Sequence, residues 1–184
     1  MNQSMVEHWI STCRQGDSQA FASLVGAFQQ KVFGLCWQYL REYQAARDAT
    51  ADVFCKAYAA LDRFDPSRPF GAWLLGIASH HLLQIKRTER RRGVCIDGTQ
   101  ADWVDEGPSP EEELLHNTER QEVESALTRI PDRYRLVLHL RFYEDLSYEE
   151  MARALNVSPG TIGSLVLRAK GLMRKELAHM RRSG

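Results

Sequence analysis

The 184-residue sequence lacks any apolar run of membrane-spanning length. Its longest uncharged stretch, Pro69 to Ile85, is interrupted by His80, His81 and Gln84 and falls short of the roughly 20 apolar residues a spanning helix needs, so no membrane insertion is expected. The first residues place Glu7 and His8 beside Trp9 and do not show the basic-then-apolar order of a secretory signal, which implies a cytoplasmic location. Cysteine is scarce. Cys13, Cys36, Cys55 and Cys95 are scattered with no CxxC pair, which argues against a disulfide framework and for reduced thiols. P-loop, GxSxG, HExxH and zinc-ligand spacings are all missing, so neither an enzyme nor a metal or cofactor site is expected. Net charge is missing too: 24 Lys and Arg balance 24 Asp and Glu, which taken whole speaks against a polyanionic partner.

What is present alters that last inference. With 43% hydrophobic and 9% aromatic residues the chain can build a core, as one domain or two small ones. Residues 1–92 carry twelve bases and eight acids, a net +4. Residues 93–115 hold seven acids and no base, and residues 116–184 hold twelve bases and nine acids, a net +3. Two basic blocks therefore flank an acidic segment that also contains Gly93, Gly98, Gly107, Pro108 and Pro110, the composition of a flexible linker. Trp103 within it is expected to pack on a neighbouring domain.

Both blocks read as helical, and no alternating strand pattern appears. Asp17 is a suitable N-cap for a helix through Leu40, with Phe21, Leu24, Val25, Phe28, Val32, Leu35 and Cys36 at spacings of three and four. A second helix, from about Tyr43 to Leu61, gathers Val53, Phe54, Ala57, Tyr58 and Leu61 on one face. The segment Asp65-Pro66-Ser67-Arg68-Pro69 then breaks the chain, and a third helix runs from about Phe70 to Arg92. After the linker, Val123, Leu127 and Ile130 mark one helix, and Pro131 suits the first turn of the next, which carries Leu136, Val137, Leu138 and Leu140. Ser147-Tyr148-Glu149-Glu150 has the form of a capping box, Asn156 stands where a left-handed turn residue is wanted, and Ser158-Pro159 opens a last helix that buries Ile162, Val166, Ala169 and Met173. A short helix, a tight turn and a longer capped helix form either a plain helical hairpin or a helix-turn-helix. The basic residues Arg168, Lys170, Arg174 and Lys175 favour the DNA-binding motif, in which the second helix offers its N-terminal side chains to base edges. The fragment Gly160-Thr161-Ile162-Gly163 has a superficial KH-type spacing, but it opens this capped helix.

The stretch LTRIPDRYRLVLHLRFYEDLSYEEMARALNVSPGTIGSLVLRAKGLMRKEL resembles region 4 of the extracytoplasmic-function sigma factors of bacterial RNA polymerase, whose helix-turn-helix reads the −35 promoter element. The earlier stretch DATADVFCKAYAALDRFDPSRPFGAWLLGIASHHLLQIKRTERRR resembles their region 2, which binds the polymerase and opens the −10 element. Together the two cover roughly residues 15–180, in the family's order. The resemblance implies an all-α chain of two small helical domains, 1–92 and 116–184, joined by the acidic linker 93–115. Its implied partners are core polymerase (the largest-subunit coiled coil and the flap), promoter DNA as −35 duplex and melted −10 strand, and an anti-sigma factor.

Residue by residue, the resemblance implies a polymerase-facing set of Asp48, Asp52, Phe54 and Lys56; spacing alone puts the two acids on one helix face. Arg63, Asp65, Ser67, Arg68, Trp73, His80, Lys86, Arg87, Arg90 and Arg91 fall where the family captures the unstacked −10 bases and tracks the backbone. Ser158, Gly160, Thr161, Ser164, Arg168 and Lys170 fall where it reads the −35 duplex. This chain departs from the family at Ala51, where Gln is common, and at Gly76, His80 and Gln84, where Arg, Asn and Asp are common. It departs again at Gly163 and Leu165, where two bases are frequent. Apolar side chains can touch thymine methyls but cannot make the bidentate guanine contact of arginine, so weak standalone duplex binding is expected. Leu165 and Leu167 either face a regulator or complete local packing. His80-His81 reads as packing or surface, since adjacent helical residues diverge by about 100 degrees. Two other functions remain open at this point: a helix-turn-helix regulator acting without polymerase, and a sigma-like adaptor that only titrates partners.

Overall fold

A computed structural model describes residues 3–92 and 122–183. The expected linker 93–115, with Cys95 and Trp103, lies outside the described residues, as do the side chains of Arg90 and Arg92. Among the described residues the regular structure is helical throughout, and no helix is long and apolar enough to cross a membrane.

The first helix, α1 (Gln3–Arg14), was not anticipated from the sequence. It is short, and only Val6, Ile10 and Cys13 are buried from it. Asp17 caps α2 (Ser18–Leu40) as expected, its carboxylate accepting from the Gln19 N–H at 2.8 Å. α2 stops at Arg41, which takes a left-handed φ of 58° and donates its N–H to the Trp37 carbonyl. Glu42 then caps α3 (Tyr43–Ala60) through both carboxylate oxygens. A single 3-10 turn, Leu61–Arg63, leads into the proline-bounded loop, and α4 runs Phe70–Arg92.

The second block begins with α5 (122–129). It continues through α6 (Asp132–Phe142), α7 (Tyr148–Leu155) and α8 (Pro159–Ser183). Pro131 stands at the N-cap of α6, one residue earlier than expected, because its extended ψ of 143° keeps it outside the first turn.

Leu24, Val32 and Leu35 of α2, Val53 and Ala57 of α3, and Leu74, Leu75 and Leu82 of α4 form a core that continues into Leu136, Leu140, Met151 and Ile162 of the second block. A smaller cluster of Leu127, Ile130, Tyr134, Leu138 and Ala169 ties α5 and α6 to α8. The two blocks thus pack on each other, α6 against α2 and α7 against α4. One expected core residue is not in it: Tyr58 is 52% exposed and meets the core only by its ring edge, 4.9 Å from Phe21. Its hydroxyl keeps the ring at the water boundary. Cys36 is buried, and burial pushes its thiol up to about 11, which makes it a poor nucleophile; Cys55 is exposed.

Candidate nucleic-acid interface

The turn between α7 and α8 is built by complementary polar groups. Ser147 Oγ accepts from the Glu150 N–H at 3.2 Å while the Glu150 carboxylate accepts from the Ser147 N–H at 2.8 Å, the reciprocal box the sequence implied. Asn156 turns the chain with φ 54°, and its N–H reaches back to carbonyls of α7. Ser158 Oγ then accepts the Thr161 N–H at 3.1 Å and lies 2.8 Å from the Thr161 hydroxyl. This arrangement aims the first turn of α8 outward. Ser158, Gly160, Thr161, Ser164, Arg168 and Lys170 are all exposed, while Ile162, Val166 and Ala169 are buried beneath them.

Two departures in α8 separate here. Leu165 is half-buried and packs against both apolar clusters, so it completes local packing. Leu167 is 72% exposed and buries little. At Gly163 an added Cβ would come no nearer than 3.8 Å to the Tyr148 ring, an ordinary contact, so crowding does not require glycine there. Lys170 lies over the Phe142 ring at 5.0 Å, a cation–π contact.

The loop before α4 is held from both sides. Asp65 accepts from the Ser67 N–H at 3.0 Å and pairs with Arg68 at 3.1 Å, and the Ser67 hydrogen bonds hold its carboxyl below the usual carboxylate range. From behind, the Arg14 guanidinium of α1 donates to the Leu61 carbonyl at 2.9 Å and also to the carbonyls of Asp62 and Phe64. Phe64, Phe70 and Trp73 pack with ring centroids 5.0–5.4 Å apart, which fixes the half-buried indole at the base of the loop. Arg63, Ser67 and Arg68 are exposed in this segment, His80, Arg87 and Arg91 are exposed further along α4, and Lys86 pairs with Glu89 at 2.9 Å. Sequence inspection missed Arg14, because its partners are backbone carbonyls nearly fifty residues away. Arg14→Met is expected to weaken binding of a melted DNA strand by about tenfold at unchanged helix content, since the carbonyls lose charged donors while α1 keeps its packing. Oligonucleotide titration beside circular dichroism checks this.

On α3, Asp48, Asp52 and Lys56 are exposed on one side. Phe54 is a correction to the polymerase-facing set: it is 6% exposed, packs edge-on to Phe21 at 6.4 Å, and supports that surface from beneath. His81, which the sequence offered as packing or surface, is buried and braces it instead. His81 of α4 places Nδ1 3.0 Å from Lys56 Nζ and Nε2 3.3 Å from Asp52 Oδ2, contacts that a neutral ring protonated on Nε2 accommodates. Burial pushes this imidazole's pKa down, Lys56 adds to the effect and Asp52 opposes it.

The seam between the blocks is polar at its edges and tight at its centre. Lys31 of α2 pairs with Glu144 at 2.7 Å, and His139 Nε2 of α6 lies 3.4 Å from the other Glu144 oxygen. The Glu144 side chain is 8% exposed; burial pushes its carboxyl up, but the hydrogen bonds and charges of His139 and Lys31 outweigh that and hold it below the ordinary value. Arg135 lies over the Tyr39 ring at 5.6 Å, and Arg41 pairs with Glu124 at 3.6 Å. At the centre, α4 and α7 cross so closely that a Cβ on Gly76 would stand 2.9 Å from the Ala154 carbonyl oxygen. Beside this crossing a cleft of about 450 Å³ is lined by Lys56, Arg68, Trp73 and His80 from one block and by Glu150, Arg153 and Asn156 from the other.

An exposed, capped second helix after a tight turn, on the same chain as a basic loop-and-helix surface and an acidic helix face, matches the architecture of a sigma subunit, and comparison with known proteins agrees. The Sigma-70 region 2 family matches residues 24–92 and the Sigma-70, region 4 family matches residues 120–173. The chain is 30% identical over 169 residues to the ECF RNA polymerase sigma-E factor of Escherichia coli K12, covering 88% of each. It is 28% identical over 183 residues to the ECF RNA polymerase sigma factor SigW of Bacillus subtilis, covering 94% of this chain and 97% of the relative. Among solved structures, its fold is similar to CnrH in complex with the cytosolic domain of CnrY (TM-score 0.67, 22% identity, covering 96% and 97%). It is also similar to the sigma factor RpoE in complex with the anti-sigma factor NepR from Bartonella quintana (TM-score 0.69, 23% identity, covering 86% and 96%). The chain belongs to the extracytoplasmic-function sigma factors of bacterial RNA polymerase.

Proposed function

We propose that this chain is a dissociable cytoplasmic initiation subunit. It docks on core polymerase, reads a −35 duplex with the first turns of α8, and captures a melted −10 strand with the Asp65–Phe70 loop and α4. Residues 1–92 and 116–184 act as the two functional modules and 93–115 as their tether. The observation that carries the reading is the exposed row Thr161, Ser164 and Arg168 on a rigidly capped helix, in one chain with the exposed pair Asp48 and Asp52. The first suits major-groove edges, where Thr and Ser accept or donate and Arg reads guanine or phosphate. The second suits a basic partner helix. No covalent chemistry is required of the chain. An anti-sigma protein, such as accompanies the similar Bartonella quintana sigma factor, fits as a regulatory partner.

Run-off transcription with purified core polymerase, with and without the chain, on a library of upstream fragments tests this. Transcripts from a defined subset of fragments, dependent on the chain, are the expected result. Duplex binding without transcripts would instead define a regulator acting without polymerase, and core binding without initiation would define an adaptor.

A further inference from the structure

The charge that α3 offers to a basic partner depends on a side chain from another helix. Asp52 and Lys56 lie four residues apart on α3, a spacing at which a carboxylate and an ammonium ordinarily pair with each other. Such a pair would cancel the charge of Asp52. Instead the His81 ring of α4 engages both, with Nδ1 3.0 Å from Lys56 Nζ and Nε2 3.3 Å from Asp52 Oδ2. The His81 side chain is 9% exposed and the Asp52 side chain 62% exposed, so a fixed, buried group sets where two surface groups sit.

What the ring does there depends on its proton count. A neutral imidazole with its proton on Nε2 donates to Asp52 and accepts from Lys56, and both contacts are satisfied. A second proton puts an N–H on Nδ1, which then faces the Lys56 ammonium as donor against donor and cation against cation. Lys56 is exposed and turns away into water, while the imidazolium closes on Asp52 as a full ion pair. Glu150 and Arg153 of α7, Arg68 of the loop and His80 of α4 line the same cleft as His81. Glu150 accepts from the Ser147 N–H, Arg68 pairs with Asp65, His80 bonds the Gly76 carbonyl, and Arg153 is exposed. α2 and α6 meet α4 through the apolar core. Burial first and Lys56 second push the ring's pKa below the ordinary histidine value, against the opposing pull of Asp52.

We propose that His81 is a positioning residue for polymerase docking: the neutral ring holds Lys56 off Asp52 and keeps that carboxylate open to a basic partner, and protonating the ring withdraws it. This rests on the assignment of Asp48 and Asp52 to core polymerase. Affinity for core is full while the ring is neutral and falls as the pH drops through the ring's depressed pKa, so acidification weakens docking.

Fluorescence anisotropy of the labelled full chain with core polymerase, from about pH 5 to about pH 8, tests this on the wild type and three variants. His81→Gln does not titrate, yet keeps an N–H for Asp52 and an oxygen for Lys56 on one helix-favouring side chain. His81→Leu fills the site and offers neither. Asp52→Asn removes the charge itself. Across the acid half of the range the wild-type chain is expected to lose about tenfold more affinity than His81→Gln, the effect of coupling docking to one proton. At the alkaline end His81→Gln is expected to match the wild type, and His81→Leu to bind about fivefold more weakly because Lys56 then pairs with Asp52. If His81→Leu does not fold, the comparison with His81→Gln decides alone. A wild-type pH profile parallel to that of His81→Gln would overturn the positioning role, as would full alkaline affinity in a folded His81→Leu. Undiminished affinity in Asp52→Asn would overturn the docking assignment itself, and the role of His81 with it.

Discussion

A chain carrying Asp48→Lys together with Asp52→Asn is expected to bind core polymerase about a hundredfold more weakly, because a basic partner surface then meets a cation where it met two carboxylates. The structure makes this a clean substitution. Lys at position 48 gives up only the exposed hydrogen bond that Asp48 accepts from Gln44 at 3.0 Å within α3, and Asn at position 52 retains an oxygen for the His81 ring, which stands 3.3 Å away in the wild-type chain. Both side chains are exposed, so the thermal unfolding midpoint is expected to stay within a few degrees. Association with fluorescently labelled core, followed against salt, measures the loss. Its salt dependence should fall along with the affinity, since two screened attractions are removed. Undiminished binding would move the docking surface elsewhere on the chain.

Ile162→Ala is expected to destabilise the chain by about 2–4 kcal/mol and to abolish −35 duplex recognition at temperatures where the wild-type chain is active. Ile162 is fully buried in the principal cluster, which it shares with Leu136, Leu140 and Met151, and it is the first apolar anchor behind the exposed turn of α8. Removing its side chain leaves a cavity under the exposed first turns of α8. Leu167→Ala, five residues on, is the internal control: that side chain is exposed, and the change is expected to fall within about 0.5 kcal/mol of neutral. Chemical denaturation of the two variants side by side checks the difference, and a small effect at Ile162 would mean that α8 is held mainly by its cap and its α6 contacts.

Much of the second block was legible in the sequence because its signals are local. The capping box, the left-handed Asn156 and the Ser158 cap each depend on side chains within four residues of the groups they satisfy, and each is present with the expected partners. The buried stripe of α8 followed from periodicity in the same way. Phe54 and Tyr58 show where periodicity stops being sufficient. They lie four residues apart on one face of α3 and both meet the Phe21 ring, yet Phe54 is buried in the core while Tyr58, nearer the end of the helix, is largely exposed. Helix α1 escaped notice since three buried residues give little periodic signal, although its Arg14 holds the carbonyls ahead of the Asp65–Phe70 loop. Gly76 was visible only as a departure from the family pattern. Its role became apparent once α7 was placed against it.

The sequence by itself determined the all-α class, the order of the two helical blocks, the helix-turn-helix and the family, for these rest on spacing, capping chemistry and motif order within short stretches of chain. The tertiary structure decided which of those residues are available to a partner. It buried Phe54, drew His81 between Asp52 and Lys56, joined Lys31 to Glu144 across more than a hundred residues, and set α7 against α4 at Gly76. Exposure and long-range pairing depend on how separate helices meet, and that is settled by the summed packing of the chain, which no local window of sequence contains.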